Sequence, residues 1–172
     1  MNPTELMSKL SRLGIWEIKY YNKKTELSNI YDVCILIDKN NKILSRGISI
    51  CSLMDQYVRK IGKNKSLGRA IKAIENKVNS FEINPIRFKD DEYVRRSFKS
   101  KTKEQDEKVK SKLKGIPTFR KELSNNVIEY SCKISLACPI LETVKEFKFK
   151  SEFLPSPTKF EKKILERIKE TK

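Results

Sequence analysis

The segment KILSRGISICSLMDQYVRKIGKNKSLGRAIKAIENKV, residues 42–78, organises the chain. Residues 42–51 read as a buried strand. Ser52, with Asp55 three residues on, resembles a capping box that opens a helix. Leu53, Met54, Tyr57, Val58 and Ile61 then form an apolar stripe, which resumes with Leu67, Ala70, Ile71, Ile74 and Val78. Gly62 and Asn64 weaken a helix interior, so two helical pieces with a bend over 62–65 are expected.

Upstream, residues 30–37 (IYDVCILI) are apolar on both faces apart from Asp32, as in a central strand. Residues 15–21 (IWEIKYY) alternate, with Trp16, Ile18 and Tyr20 on one face. The turn residues Asp38 to Asn41 separate the second and third strands, and the short connections predict an antiparallel meander. A helix over 5–13, capped by Thr4 and stopped by Gly14, presents Leu6, Met7, Leu10 and Leu13 to a core.

Downstream, residues 81–88 (FEINPIRF) read as an extended or edge segment because of Pro85. Asp90, Asp91 and Glu92 suit a helix N-terminus, so a helix is expected from 91 toward 98. Residues 99–114 offer only Val109 and Leu113 for burial and read as a partly ordered helix or linker. Residues 127–137 and 143–149 alternate, which predicts a second hairpin across Cys138 and Pro139. Thr158 with Glu161 forms a capping box for a last helix, whose stripe is Phe160, Ile164, Leu165 and Ile168. The expected fold is α+β in a single domain over 1–172. It has an antiparallel N-terminal three-stranded meander packed by helices, a highly charged helix or linker at about 99–115, and a C-terminal hairpin and terminal helix.

The balance of 38 Lys and Arg against 22 Asp and Glu gives a net charge of +16. An excess of that size repels itself and is offset by an anionic partner, of which nucleic acid is the commonest. There is no histidine. This removes His-containing zinc sites, Ser-His and Cys-His nucleophilic pairs and an imidazole base. Cys34, Cys51, Cys132 and Cys138 lack the spacing of a four-cysteine zinc site, and the first three fall in apolar runs as buried reduced thiols. MNPTELMSKL has no signal-peptide core, and no apolar run approaches the roughly 18 residues of a membrane span. A soluble cytoplasmic protein is expected.

Three chemistries were weighed against these residues. Gly62 to Gly68 departs from the P-loop spacing and follows a helix rather than a strand, which rejects nucleotide hydrolysis. A helix start near Ser66, beside Lys63, Lys65 and Arg69, still suits a phosphate. A His-free metal nuclease needs strand carboxylates with a lysine, and Glu17-x-Lys19 and Glu146-x-Lys148 show that pattern. Cross-strand ion pairing explains both.

The third is nucleic-acid binding. Arg59, Lys60, Lys63, Lys65, Arg69, Lys72 and Lys77 cluster against Glu75, and Arg87, Lys89, Arg95, Arg96, Lys99, Lys101 and Lys103 make a second concentration. Exposed members of Tyr20, Tyr21 and Tyr93 can stack on bases, with Tyr57 assigned to the core. The candidate interface is Arg59, Lys60, Lys63, Lys65, Arg69, Lys72, Arg95 and Arg96. No catalytic residue, metal ligand or cofactor is assigned, and no membrane partner.

Ser45 to Ser52, with Asp55-Gln56-Tyr57, Arg59 to Gly62 and Leu67 to Ala70, resembles a strand-to-helix segment of small bacteriophage and mobile-element proteins. The resemblance implies a host-takeover role, including inhibition of CRISPR effector nucleases. It implies no catalytic residues. A chain this basic would grip an effector's guide RNA, or compete for acidic surfaces, rather than mimic nucleic acid. Non-enzymatic binding of DNA, RNA or a nucleoprotein such as a CRISPR effector is the expected function, with an effector inhibitor and a metal-dependent nuclease as alternatives.

Overall fold

The computed structural model describes residues 3–27, 29–81, 92–147 and 157–171. Among them the order is α1 (Pro3–Arg12), β1 (Glu17–Lys24), β2 (Ile30–Ile37), β3 (Ile43–Ile50), α2 (Arg59–Glu75), β4 (Tyr93–Ser100), α3 (Lys103–Lys112), β5 (Thr118–Leu123), β6 (Val127–Ser135), α4 (Ala137–Glu146) and α5 (Lys159–Glu170). The strands form two antiparallel three-stranded sheets, ordered β1-β2-β3 and β4-β6-β5. The fold is α+β, with the expected N-terminal meander and terminal helix.

The first sheet is covered on both faces because β2 is apolar on both. Tyr31, Val33, Ile35 and Ile37 point one way and join Ile48, Phe147 and Ile168 in a core supplied by α4 and α5. Cys34 and Leu36 point the other way and meet Leu10, Ala70 and Ile71 of α1 and α2. Burying each such side chain is worth roughly 1.5–3 kcal/mol. Trp16, expected within the first strand on one face with Ile18 and Tyr20, lies before β1 and is exposed.

On the second of these faces α2 approaches β3 backbone to backbone. A Cβ at Gly47 would stand 1.9 Å from the Ser66 carbonyl oxygen and 2.4 Å from the Ala70 nitrogen. The Ser45 hydroxyl donates to the Ala70 carbonyl at 2.8 Å. The buried side of α2 is correspondingly small: Gly62, Ser66, Ala70 and Ala73, with Ile71 as its large member. This corrects the expectation of two helices with a bend. Residues 53–58 are not helical, and α2 runs unbroken through Gly62. Gly62 leaves room for the Asp32 carboxylate: a Cβ there would lie 1.9 Å from Asp32 Oδ2 and would force that side chain to shift.

The opposite face holds a buried ion pair. Arg46 Nε and its terminal nitrogen donate to the two oxygens of Glu161, each at 2.8 Å, with both side chains almost wholly inaccessible. Glu161 Oε2 also accepts from the Thr158 nitrogen at 2.8 Å, completing the capping box of α5. The charge that caps α5 therefore also locks it onto β3. Removing one member of such a pair typically costs about 3–5 kcal/mol, because the other charge stays buried.

The second sheet departs most from expectation. Tyr93–Ser100 is a strand, not a helix: Val94, Arg96 and Phe98 alternate with exposed Tyr93, Arg95 and Ser97. The C-terminal hairpin joins β5 to β6, with Asn125 and Asn126 in the left-handed region (φ 68° and 57°) that Asn tolerates. Of the expected partner strand over 143–149, residues 143–146 are instead the end of α4 and residues 148–149 lie outside the described residues. Ile140, Thr143 and the C-cap Phe147 are buried at helical spacing. Residues 103–112 form an ordered helix, α3, capped by Thr102 and seated by Val109 and Leu113. The extended segment expected over 81–88 falls on residues 82–88 outside the described residues.

Gly47→Ala is expected to lower stability by about 3 kcal/mol or more, since backbone atoms cannot yield to the added methyl. Gly68→Ala, where a Cβ meets nothing within 4 Å, should instead stabilise by about 0.5–1 kcal/mol. Urea unfolding of both variants checks the pair; equal effects would refute the close approach.

Candidate nucleic-acid interface

The eight basic residues singled out from the sequence do not form one patch. Lys65, Arg69 and Lys72 recur at i, i+4 and i+7 along one side of α2. Arg59, Lys60 and Lys63 crowd its N-terminal turns, where the helix has no acidic residue and no side-chain cap. Cations beside the positive end of a helix dipole are mutually unfavourable, and an anion there relieves both. Arg59, Lys60, Lys65 and Lys72 are exposed. Three of the six make further contacts: Lys63 Nζ lies 5.0 Å from the centre of the Tyr20 ring, exposed Lys72 Nζ lies 5.5 Å from that of Phe81, and Arg69 donates to the Ile48 carbonyl.

Arg95 and Arg96 are separated by the pleat of β4. Arg96 turns inward and donates to the Leu53 carbonyl at 3.2 Å, tying the second sheet to the loop before α2. Arg95 is exposed, whereas Arg96 is half-buried.

The second sheet has one packed face. Val94, Phe98, Ile128, Tyr130, Cys132 and Ile134 close onto Val109 and Leu113 of α3 and onto Leu27 from the β1–β2 loop. Asp106 anchors α3 there, accepting from Tyr130 Oη at 2.6 Å and Ser100 Oγ at 3.1 Å and pairing with Lys110 at 2.7 Å. The Lys110 hydrogen bond first, and Tyr130 second, hold its carboxyl down at about 2.

The other face carries no apolar cover among the described residues. Register places its side chains in rows across the strands: Tyr93 with Ser135; Arg95 with Lys133; Ser97, Ser131 and Phe119; then Lys99, Glu129 and Lys121. Tyr93 is 57% exposed and Phe119 70%. Between them runs a groove of about 490 Å³ lined by Tyr93, Arg95, Pro117, Phe119, Ser131 and Lys133. None of Arg95, Lys99, Lys121 and Lys133 lies within ion-pair distance of a carboxylate among the described residues. Phe119 and Lys121 were missed in the sequence because β5 was not recognised as a strand; Lys133, on the expected strand over 127–137, lies outside both basic concentrations. Of the tyrosines considered for stacking, Tyr93 alone is exposed. Tyr20 is half-buried, Tyr21 stacks on Phe160 at 5.9 Å, and Tyr57, also half-buried, donates to Asp32 Oδ1 at 2.7 Å.

The Glu-x-Lys pairs do not converge. Glu17 is bonded to Lys19 at 2.5 Å. Glu146 lies on α4, not on a strand, and accepts from Lys23 at 3.1 Å and from the Tyr31 hydroxyl. Lys148, like Arg87 and Lys89, is outside the described residues. Among the described residues no three His, Cys, Asp or Glu side chains group as metal ligands. Cys34 and Cys132 are buried, Cys51 is half-buried and Cys138 is exposed; burial pushes the Cys34 thiol up to about 12. No described helix is long and apolar enough to cross a membrane. Comparison with family models, curated proteins and solved structures gave no match.

A carboxyl whose folded pKa is depressed contributes stability above its ordinary value of 3.8, and loses it as pH falls toward 2. An NMR titration should therefore find the Asp106 carboxyl still ionised at pH 3, with a midpoint near 2. A midpoint near 3.8 would mean that α3 is not held as described.

Proposed function

We propose that this protein binds nucleic acid, free or within a nucleoprotein, without catalysing a reaction on it. One observation carries the proposal: the exposed cations of α2 and of the open sheet face have no carboxylate within ion-pair distance among the described residues, while seven acids are spent on ion pairs elsewhere. A net charge of +16 left unneutralised in this way repels itself until a polyanion releases its counterions against it. The uncapped, cation-rich start of α2 points to the same partner.

Within the phage-type segment, residues 45–47 have packing duties: Ser45 and Gly47 seat α2, and Arg46 holds Glu161. A nucleoprotein such as a CRISPR effector would thus be engaged through its exposed RNA by the cations, rather than through residues 45–47.

Binding to mixed-sequence oligonucleotides should weaken steeply with salt. Charge reversal of exposed Lys60, Lys65 and Lys72 to Glu should leave folding unchanged, lower affinity about tenfold or more, and flatten the logarithmic salt slope by about one unit per phosphate-contacting cation. Fluorescence anisotropy across a salt series measures both. Absence of binding at low salt, or affinity indifferent to salt, would refute the proposal.

A further inference from the structure

We infer that the open face of the β4-β6-β5 sheet is a stacking platform for single-stranded RNA, an inference that rests on the nucleic-acid reading above and names its substrate. A strand of nucleic acid offers two things that a duplex hides or holds rigid: the flat faces of its bases and a backbone free to follow a surface. This face presents the complement of both.

Tyr93 and Phe119 stand on the two outer strands with their rings largely in water. Large aromatic side chains left on a sheet face normally find cover, and none of the described elements supplies it. From the register, Tyr93 is opposite Ser135 and Phe119 opposite Ser131, so the two rings lie on a diagonal across the sheet. Strand spacing and rise put their Cα atoms roughly 16 Å apart, room for different bases of one chain. Arg95 and Lys133 form the row between them, and Lys99 and Lys121 the row beyond Phe119. Cations between and beyond the stacking positions are where a backbone threading past both rings would place its phosphates.

The central strand favours RNA over DNA. On this face it carries the half-buried hydroxyls of Ser131 and Ser135 and the half-buried carboxylate of Glu129, with exposed Ser97 beside them. Ser131 donates to the Phe119 carbonyl at 3.5 Å and Ser135 Oγ accepts from the Ala137 nitrogen at 3.3 Å, which leaves Glu129 as the acceptor. Glu129 repels a phosphate but accepts from a ribose 2′-hydroxyl, the group that separates the two polymers. A protein partner is disfavoured by the same face, since four cations around one carboxylate suit a polyanion rather than the mixed rim of a protein interface.

The test compares single strands of about twelve nucleotides, as RNA and as DNA, with the RNA duplex of the same sequence and with a strand carrying abasic positions. The full chain should bind the single-stranded RNA at least several-fold more tightly than the other three. Tyr93→Ala and Phe119→Ala should each weaken single-strand binding about tenfold, Phe119→Trp should restore it, and the double alanine variant should no longer distinguish the abasic strand from the intact one. Because both rings are in solvent, circular dichroism should show the variants folded. Wild-type affinity of folded alanine variants, or equal affinity for duplex, overturns the platform while leaving salt-dependent nucleic-acid binding intact. Equal or tighter binding of the DNA strand overturns the RNA assignment. Failure to bind any of the four at low salt overturns both the platform and the function proposed above.

Discussion

The contact on which the structure depends is the one with no side chain in it, where α2 lies against β3 at Gly47. With the Ser66 carbonyl 1.9 Å from where a Cβ would be, the helix has a single workable depth on the sheet. That depth requires small residues along its buried side, and Gly62, Ser66, Ala70 and Ala73 provide them. Lys65 and Lys72 are thereby turned outward, and Lys63 is left to lie over Tyr20. On the reverse side of the same strand, Arg46 fixes Glu161 and with it α5. One eight-residue strand, β3, sets the position of a helix on each face of the first sheet.

The two sheets use their faces differently, and function follows from the difference. The first is buried on both sides and its charged groups are largely structural. The second has α3 and Leu27 on one side only. An antiparallel sheet can leave one face in water, and ordinarily does so with polar residues. Here that face carries two rings and four cations to one carboxylate, a composition that serves contact with stacked bases and phosphates better than contact with water. Arg96, reaching from the packed side to the Leu53 carbonyl, links this sheet to the loop that leads into α2.

Elements with strong local signals were legible in the sequence. β2 announces itself by apolar residues on both faces, α1 by its stop at Gly14 (φ 71°), and α5 by Thr158 and Glu161. The misreadings have physical causes. Asp90 to Glu92 look like a helix start, but the Val94, Arg96, Phe98 alternation after them has the period of a strand. Residues 143–149 alternate, yet Ile140, Thr143, Val144 and Phe147 also fit i, i+3, i+4, i+7, and burial followed the helical period. β5 was invisible because an edge strand exposed over most of its length, TFRKEL, has no apolar face to betray it; Asn125 and Asn126 were the signal available. Missing β5 hid Phe119 and Lys121, and with them half of the site. Gly62 was misread as a helix breaker because its need, the carboxylate of Asp32, lies thirty residues away in sequence.

The most direct test of this account is ultraviolet cross-linking of the intact protein to a uridine-containing single-stranded RNA, with the adducts located by peptide mass spectrometry. Stacked aromatic residues are the expected sites of zero-length adducts. The account predicts adducts at Tyr93 and Phe119, in the peptides of β4 and β5, and their suppression at high salt. Adducts confined to the first sheet or to Trp16, with β4 and β5 unmodified, would contradict it.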